Sequence, residues 1–314
     1  MSIKSFLKLV EIQTKIASVT PFAFGVVYTL FRYGTFNVLS VLFFFISMLC
    51  FDMFTTALNN YKDYKRAIKR EGYNYELHNA ISKYKLREST VIITIITLFT
   101  LATAFGVLTF IRSDIWMLIL GMMCFGIGII YSAGPLPVSR TPLGEIFSGG
   151  TMGLMIPFLV VYASIYGQKP ISLALEGEII NLSLNWALIL PILLSSLPAV
   201  FCIANIMLAN NICDIEDDFT NKRYTLPILI GRRKALYLFA AIYILSYLDI
   251  ILCVILGYLP PVSLLTLLAA YKVYKNVKAF FELQTKKDTF ALSVMNLVLI
   301  MFPLIVTVLL AVIF

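Results

Sequence analysis

Long apolar runs alternate with short polar intervals along the whole chain. Crossing a bilayer by helix takes about 20 predominantly apolar residues. Windows of that kind fall at 16–31, 36–58, 89–110, 114–133, 143–166, 186–209, 236–257, 259–279 and 291–313. Within hydrocarbon every backbone N–H and C=O needs an internal partner, so runs of this length are read as helices. The pattern predicts an all-α polytopic membrane protein of nine transmembrane helices over a single domain, 1–314. Eight is the alternative, because the first window is short and Lys272, Lys275 and Lys278 interrupt the eighth. Pro21, Pro157, Pro191, Pro198 and Pro303 fall inside windows and are expected to bend them. Ahead of the first window, Lys4, Lys8 and Lys15 interleave with Phe6, Leu7, Val10 and Ile12 at helical spacing. Residues 1–15 therefore read as an amphipathic helix on the membrane surface. With no A-x-A site after them, no signal cleavage is expected.

Composition strengthens this picture and narrows the chemistry. The chain has 314 residues, 60% of them apolar and 13% charged, with a mean hydropathy of +0.90. Lipid is the expected solvent and nucleic acid is not an expected partner. Five cysteines form no C-x-x-C pair and His78 is the single histidine, which argues against a disulfide framework, a zinc site or haem. With nine spans, the N-terminus and the loops after spans two, four, six and eight carry 22 of the 25 Lys and Arg. Only Arg32, Arg112 and Lys169 fall on the other side. Basic loops remain cytoplasmic. The N-terminus and the loops at 59–88 and 210–235 are therefore expected in the cytoplasm, as in a bacterial cell membrane.

Those two loops carry the candidate chemistry. "NNYKD" at 59–63 and "NNICD" at 210–214 share one frame, and each ends an even-numbered window. On a helix Asn210, Asp214 and Asp218 are spaced i, i+4, i+8 and line one face, with Asn211 adjoining it. Asn59 and Asp63 repeat the i, i+4 spacing, and Asp52 and Thr56 continue that face into the span. Hard oxygen ligands of this kind suit magnesium, which takes one or two carboxylates together with water and phosphate oxygens. Lys62, Lys65 and Arg66 follow the first frame, Lys222 and Arg223 the second, and such bases suit the phosphate. The pattern reads as a metal–diphosphate site at a membrane mouth. A secondary transporter, with ionisable groups between two repeats, is the alternative from another class.

The residues also resemble a known family. Two Asp-bearing stretches, nine spans and a cytoplasmic mouth are similar to the UbiA superfamily of intramembrane aromatic prenyltransferases. "NNICDIEDDFTNKRYTL" resembles the second motif of its 1,4-dihydroxy-2-naphthoate polyprenyltransferases, through Asn210, Asn211, Asp214, Asp218, Thr225 and Leu226. Arg223 stands where that motif has lysine, and Lys222 where it has glycine. "YSAGPLPVSRTPLGE" at 131–145 is similar to the segment between the family's fourth and fifth spans. "KIASVTPFAFG" at 15–25 is similar to its opening span. The first stretch departs, since Asn60, Ala67 and Lys69 stand where the family carries acids.

This resemblance implies a UbiA-like bundle and Mg2+-dependent transfer of a polyprenyl group from polyprenyl diphosphate to 1,4-dihydroxy-2-naphthoate. Carbon dioxide and diphosphate would leave and demethylmenaquinol would form; another aromatic acceptor is the nearer alternative. It implies Asp63, Asp214 and Asp218 as magnesium ligands, with Asn59 and Asn211 as ligands or ligand orienters. Lys62, Lys65 and Arg223 would contact the diphosphate, and Asn210 would join the substrate-binding set. Tyr131 would shield the allylic cation with its ring or anchor at the interface; Glu145 and Arg140 would hold the aromatic acid or cap their loop.

Overall fold

In the computed structural model, residues 1–66, 79–132, 137–176 and 179–314 are described. The N-terminal segment forms α1 (Ile3–Leu9) and a 3-10 turn at Ile12–Lys15. Helices α2 (Ile16–Tyr33) and α3 (Val38–Arg66) follow. The short α4 (Ala80–Lys83) then leads into α5 (Glu88–Ile111) and α6 (Ile115–Ser132). The fifth window is composite: α7 (Gly144–Ser148), a π-helical stretch at Gly149–Met155 and α8 (Ile156–Ile165). A hairpin of β1 (Ile171–Glu176) and β2 (Ile179–Leu184) pairs Ile171 with Leu184 and Leu173 with Leu182. The chain continues as α9 (Trp186–Ser195), α10 (Leu197–Cys213), α11 (Ile215–Thr220), α12 (Leu226–Ile230) and α13 (Arg232–Ile255). A 3-10 segment at Pro261–Ala269, α14 (Ala270–Glu282) and α15 (Phe290–Ile313) complete the bundle.

Seven helical stretches among the described residues are long and apolar enough to cross a membrane, and α9 with α10 forms an eighth, bent by 41°. The window at 259–279 is not a ninth continuous apolar helix. Its first half is the 3-10 segment, and α14 is amphipathic: Val273, Asn276 and Phe280 are buried while Lys272, Lys275 and Lys278 face outward. The prolines act in two ways. Pro21, Pro191 and Pro303 sit inside helices, whereas Pro157 and Pro198 open new ones. Pro157 has no N–H to give the carbonyl of Gly153, and the wider π turns occupy the residues just before it.

Close helix contact explains two of the glycines. A Cβ at Gly153 would lie 2.5 Å from the backbone nitrogen of Val200, and one at Gly149 would lie 2.7 Å from its carbonyl oxygen. The Gly149-x-x-x-Gly153 face thus lets the π stretch rest on the α10 backbone, as small residues do between helices in lipid.

Two apolar clusters flank the region where the sequence placed its site. The larger joins α2, α8, α10, α13 and α15 around Tyr28, Tyr162, Ile203 and Phe239. The smaller joins Leu9, Val10, Phe54, Ala57, Ile81 and Val91. The second cluster takes Leu9 and Val10 from the N-terminal segment. Leu9 and Val10 are fully buried, and Lys15 is 4% exposed with its ammonium turned inward. The expected loops are also largely helical: α3 runs on through 59–66, and α11, α12 and the start of α13 fill most of 215–235. His78, Ala67 and Lys69 lie outside the described residues.

Candidate active site

One face of α3 sets the first wall. Asp52, Thr55, Thr56, Asn59, Lys62 and Asp63 recur at helical spacing and all line a cavity of about 480 Å³. Asn210 of α10, Tyr131 of α6, and Arg140 and Arg223 line it as well. The cavity is polar at this end, which carries Asn59 and Asp63 of the first frame and Asn210 of the second. Deeper in the bundle its walls are Phe44, Met48, Phe51, Met117 and Phe125, and the Phe51 and Phe125 rings stack with centroids 4.0 Å apart. The cavity thus has a charged mouth and an apolar recess, the shape required by an amphiphile with an anionic head and a hydrocarbon tail.

At the mouth, Arg140 Nη2 lies 3.9 Å from Asp63 Oδ1, both side chains part-exposed. The segments carrying Arg140 and Arg223 are tied together: the Tyr224 N–H donates to the Arg140 carbonyl at 3.1 Å. Arg223 Nη2 donates to the Ser139 carbonyl at 3.4 Å.

The second frame is organised around ion pairs. The α-helical ladder continues from Asn210 through Asp214 to Asp218, with N–H···O distances of 3.1 and 2.7 Å, although α10 ends at Asp214. Asp214 Oδ2 sits 2.5 Å from Lys286 Nζ, a lysine from the segment between α14 and α15. Asp218 is 2% exposed, 3.1 Å from Arg223 Nε, and accepts from Thr225 Oγ1 at 3.4 Å. Burial pushes the Asp218 carboxyl above the ordinary aspartate range, opposed by the Arg223 guanidinium.

Not every expected residue faces the cavity. Asn211 is fully buried and donates its amide to Glu145 Oε1 at 2.9 Å. Asn211 Oδ1 and Glu145 Oε2 have no hydrogen-bond partner among the described residues. Lys65 lies half-exposed at the end of α3, 2.5 Å from Glu88 Oε1. Asp214, Asp218, Asn211, Glu145 and Lys65 therefore sit beside the cavity wall, while Asn59, Lys62, Asp63, Asn210, Tyr131, Arg140 and Arg223 form it. The Tyr131 hydroxyl donates to Met207 Sδ at 3.2 Å.

Sequence reasoning missed two lysines. Lys15 Nζ lies 2.6 Å from Asp52 Oδ1 and 2.7 Å from Thr56 Oγ1, while Ser18 Oγ donates to Asp52 Oδ2 at 2.6 Å. This buried group backs the part of α3 that lines the cavity, and the weak similarity at 15–25 was its sole signal. Lys286 had none, since it looked like one more basic loop residue.

Among the described residues no three His, Cys, Asp or Glu side chains cluster closely enough to hold a metal ion by themselves. The donor set nevertheless fits magnesium: hard oxygens from carboxylates and amides on two facing walls, with bases beside them for an anionic ligand that would complete the coordination. The ammonium of Lys286 on Asp214 shows that this carboxylate accepts a cation.

Comparison with known proteins agrees with this architecture. Residues 18–311 match the UbiA prenyltransferase family. A 1,4-dihydroxy-2-naphthoate octaprenyltransferase of Bacillus subtilis (strain 168) is 29% identical over 275 residues, covering 88% of this chain and 81% of that protein. Among solved structures, a UbiA homolog from Archaeoglobus fulgidus bound to GPP and Mg2+ superposes with a TM-score of 0.64 at 15% identity. That superposition covers 99% of this chain and 100% of that one. An apo UbiA homolog from Aeropyrum pernix K1 gives 0.68 at 20% identity, over 94% and 98%. With the family match spanning nearly the whole chain, this protein belongs to the UbiA prenyltransferase family.

Proposed function

We propose that this transferase moves a polyprenyl group from polyprenyl diphosphate to 1,4-dihydroxy-2-naphthoate, with loss of carbon dioxide and diphosphate, at a magnesium-dependent site opening to the cytoplasm. The observation that carries it is the cavity, with Asn59 and Asp63 of the first frame and Asn210 of the second at a charged mouth, and an aromatic recess deeper in. The naphthoate acceptor is supported by the Bacillus subtilis relative and by the second-motif residues Asn210 to Leu226. The cytoplasmic orientation is supported by the charge asymmetry of the sequence, in which a nine-span count places 22 of 25 Lys and Arg on one side.

Asn59 and Asp63 from α3, with Asn210 and Asp214 from the end of α10, would hold magnesium, and Asp218 would support Arg223. When bound, magnesium supplies positive charge to the diphosphate oxygens. Lys62, Arg140 and Arg223 bind the same oxygens, so negative charge developing on the leaving group meets fixed cations. Ionisation breaks the C1–O bond and its electron pair leaves with the diphosphate. The Tyr131 ring, in the wall below, faces the allylic cation. The naphthoate ring carbon then supplies the pair for the new C–C bond, and the electron pair of the ring's bond to its carboxylate carbon returns to the ring as carbon dioxide leaves. Phe51, Phe125 and Met48 hold the tail and exclude water from a cation that water would otherwise trap. Asn211 and Glu145 act from behind the wall, each fixing the other's orientation.

The test is to supply membranes containing the protein with labelled polyprenyl diphosphate and magnesium, offering dihydroxynaphthoate, 4-hydroxybenzoate and other acceptors side by side. A lipid-soluble naphthoquinol is expected. Uptake of label without conversion would instead favour transport.

A further inference from the structure

The segment between α14 and α15 is folded back on itself. The Thr285 hydroxyl donates to Asp288 Oδ2 at 2.9 Å, the Thr285 N–H to Thr289 Oγ1 at 3.0 Å, and the Phe290 N–H to the Thr285 carbonyl at 3.0 Å. Phe290, directly after this turn, lines the cavity. The turn brings the Lys286 ammonium to Asp214 Oδ2 at 2.5 Å, one helical turn beyond Asn210, which lines the cavity.

The two partners differ in exposure. The Asp214 side chain is 13% exposed and the Lys286 side chain 52%. The carboxylate is thus largely buried, and the ammonium reaches it on a flexible stem from the solvent side. Lys286 also acts electrostatically on Asp218, whose nearest cation is Arg223. With its lysine half exposed, the ammonium exchanges readily between Asp214 and solvent. A divalent cation arriving at Asp214 competes with the ammonium for the same oxygen and repels it. The anion that such a cation brings is the nearest new partner for Lys286.

We propose that Lys286 is a further diphosphate-binding residue: in the empty site it holds Asp214 in place of the metal, and on loading it transfers to a diphosphate oxygen. This rests on the reading of Asp214 as a metal ligand. The lysine then has two opposite effects. It weakens metal binding while the site is empty and strengthens diphosphate binding once the metal is present.

The purified full chain in nanodiscs tests both effects without turnover. Mn2+ binding is measured by electron paramagnetic resonance without substrate, and then geranyl thiolodiphosphate binding is measured with Mn2+ present. Lys286→Met is expected to bind Mn2+ about 10-fold more tightly and the thiolodiphosphate about 10-fold more weakly, the low end for a charge-assisted hydrogen bond. Lys287→Met, the exposed neighbour, controls for loop charge and is expected to change neither. Asp214→Asn reports on the parent reading and is expected to lose Mn2+ binding. If Asp214→Asn loses Mn2+ while Lys286→Met changes neither affinity, the proposal is overturned and the site reading stands. If Lys287→Met shifts both affinities as much as Lys286→Met, loop charge is the cause and the proposal is again overturned. If Asp214→Asn still binds Mn2+ normally, the site reading fails and takes the proposal with it.

Discussion

Lys15 Nζ lies 2.6 Å from Asp52 Oδ1, with the lysine side chain 4% exposed and the aspartate 16%. This pair joins the segment before α2 to the middle of α3, and Asp52 also lines the cavity. Removing one member of a buried pair strands the other charge, at a cost of roughly 3–5 kcal/mol. Lys15→Met is therefore expected to lower thermal stability in detergent markedly. The Lys15→Met/Asp52→Asn double variant should recover much of that loss, because no charge is then left unpaired. A thermal-shift series of the two single variants and the double variant checks this. Equal, additive losses would mean that the pair does not couple the two elements.

Asp63 lines the mouth, and Asp214 lies beside the wall, one helical turn beyond the lining Asn210. Asp63→Asn and Asp214→Asn keep size and polarity but remove the charge that would bind magnesium. Each is expected to lower prenyl transfer by about 10²-fold or more, with insertion unchanged. Full activity in both at ordinary magnesium concentration would refute the assignment. Chelation should abolish turnover in the unmodified protein, and added magnesium should restore it.

Gly153 tests the packing that holds α10 in place. A Cβ there would meet the Val200 backbone nitrogen at 2.5 Å, and backbone cannot rotate out of the way as a side chain can. Gly153→Ala should therefore destabilise the bundle by roughly 1–3 kcal/mol, and Gly153→Leu should prevent its folding. Gly150 is the contrasting position, since a Cβ added there would meet nothing within 4 Å. Gly150→Ala should be tolerated.

Gly128 tests the apolar recess. A Cβ at this position would lie 2.5 Å from the Phe51 ring, which lines the cavity and stacks on Phe125. Gly128→Val should push that ring into the recess and obstruct long tails more than short ones. The ratio of kcat/KM for geranylgeranyl diphosphate over geranyl diphosphate is expected to fall about 10-fold, on the order of one or two lost methylene contacts. An unchanged ratio would place the tail elsewhere.

The spans and the α3 face were legible because both are local patterns. Apolar runs of fixed length announce helices, and Asp52, Thr56, Asn59 and Asp63 fall on one face by spacing alone. The repeated Asn-Asn-x-x-Asp frame likewise picked out Asn59, Asp63 and Asn210, which line one cavity. What escaped depends on contacts between distant segments. Lys15 followed the amphipathic pattern of its neighbours, and only the position of α3 shows that its ammonium points inward. Lys286 pairs with Asp214 because the turn at Thr285 brings it to the end of α10, which no spacing rule reveals. Asn211 was placed on the ligand face by adjacency, yet its amide turns to Glu145. The hairpin escaped for a different reason. Its alternation, Ile171-Ser172-Leu173-Ala174, was visible in the sequence but lies among helical windows that dominated the reading.

The most direct test is acceptor competition with the purified chain in nanodiscs, labelled polyprenyl diphosphate and magnesium. Dihydroxynaphthoate, 4-hydroxybenzoate and other aromatic acceptors are present together, and products are resolved by mass. The expected result is a prenylated naphthoquinol that has lost the mass of carbon dioxide, formed in clear preference to every other product. Preferential prenylation of another acceptor, or no prenylation at all, would contradict the proposed function.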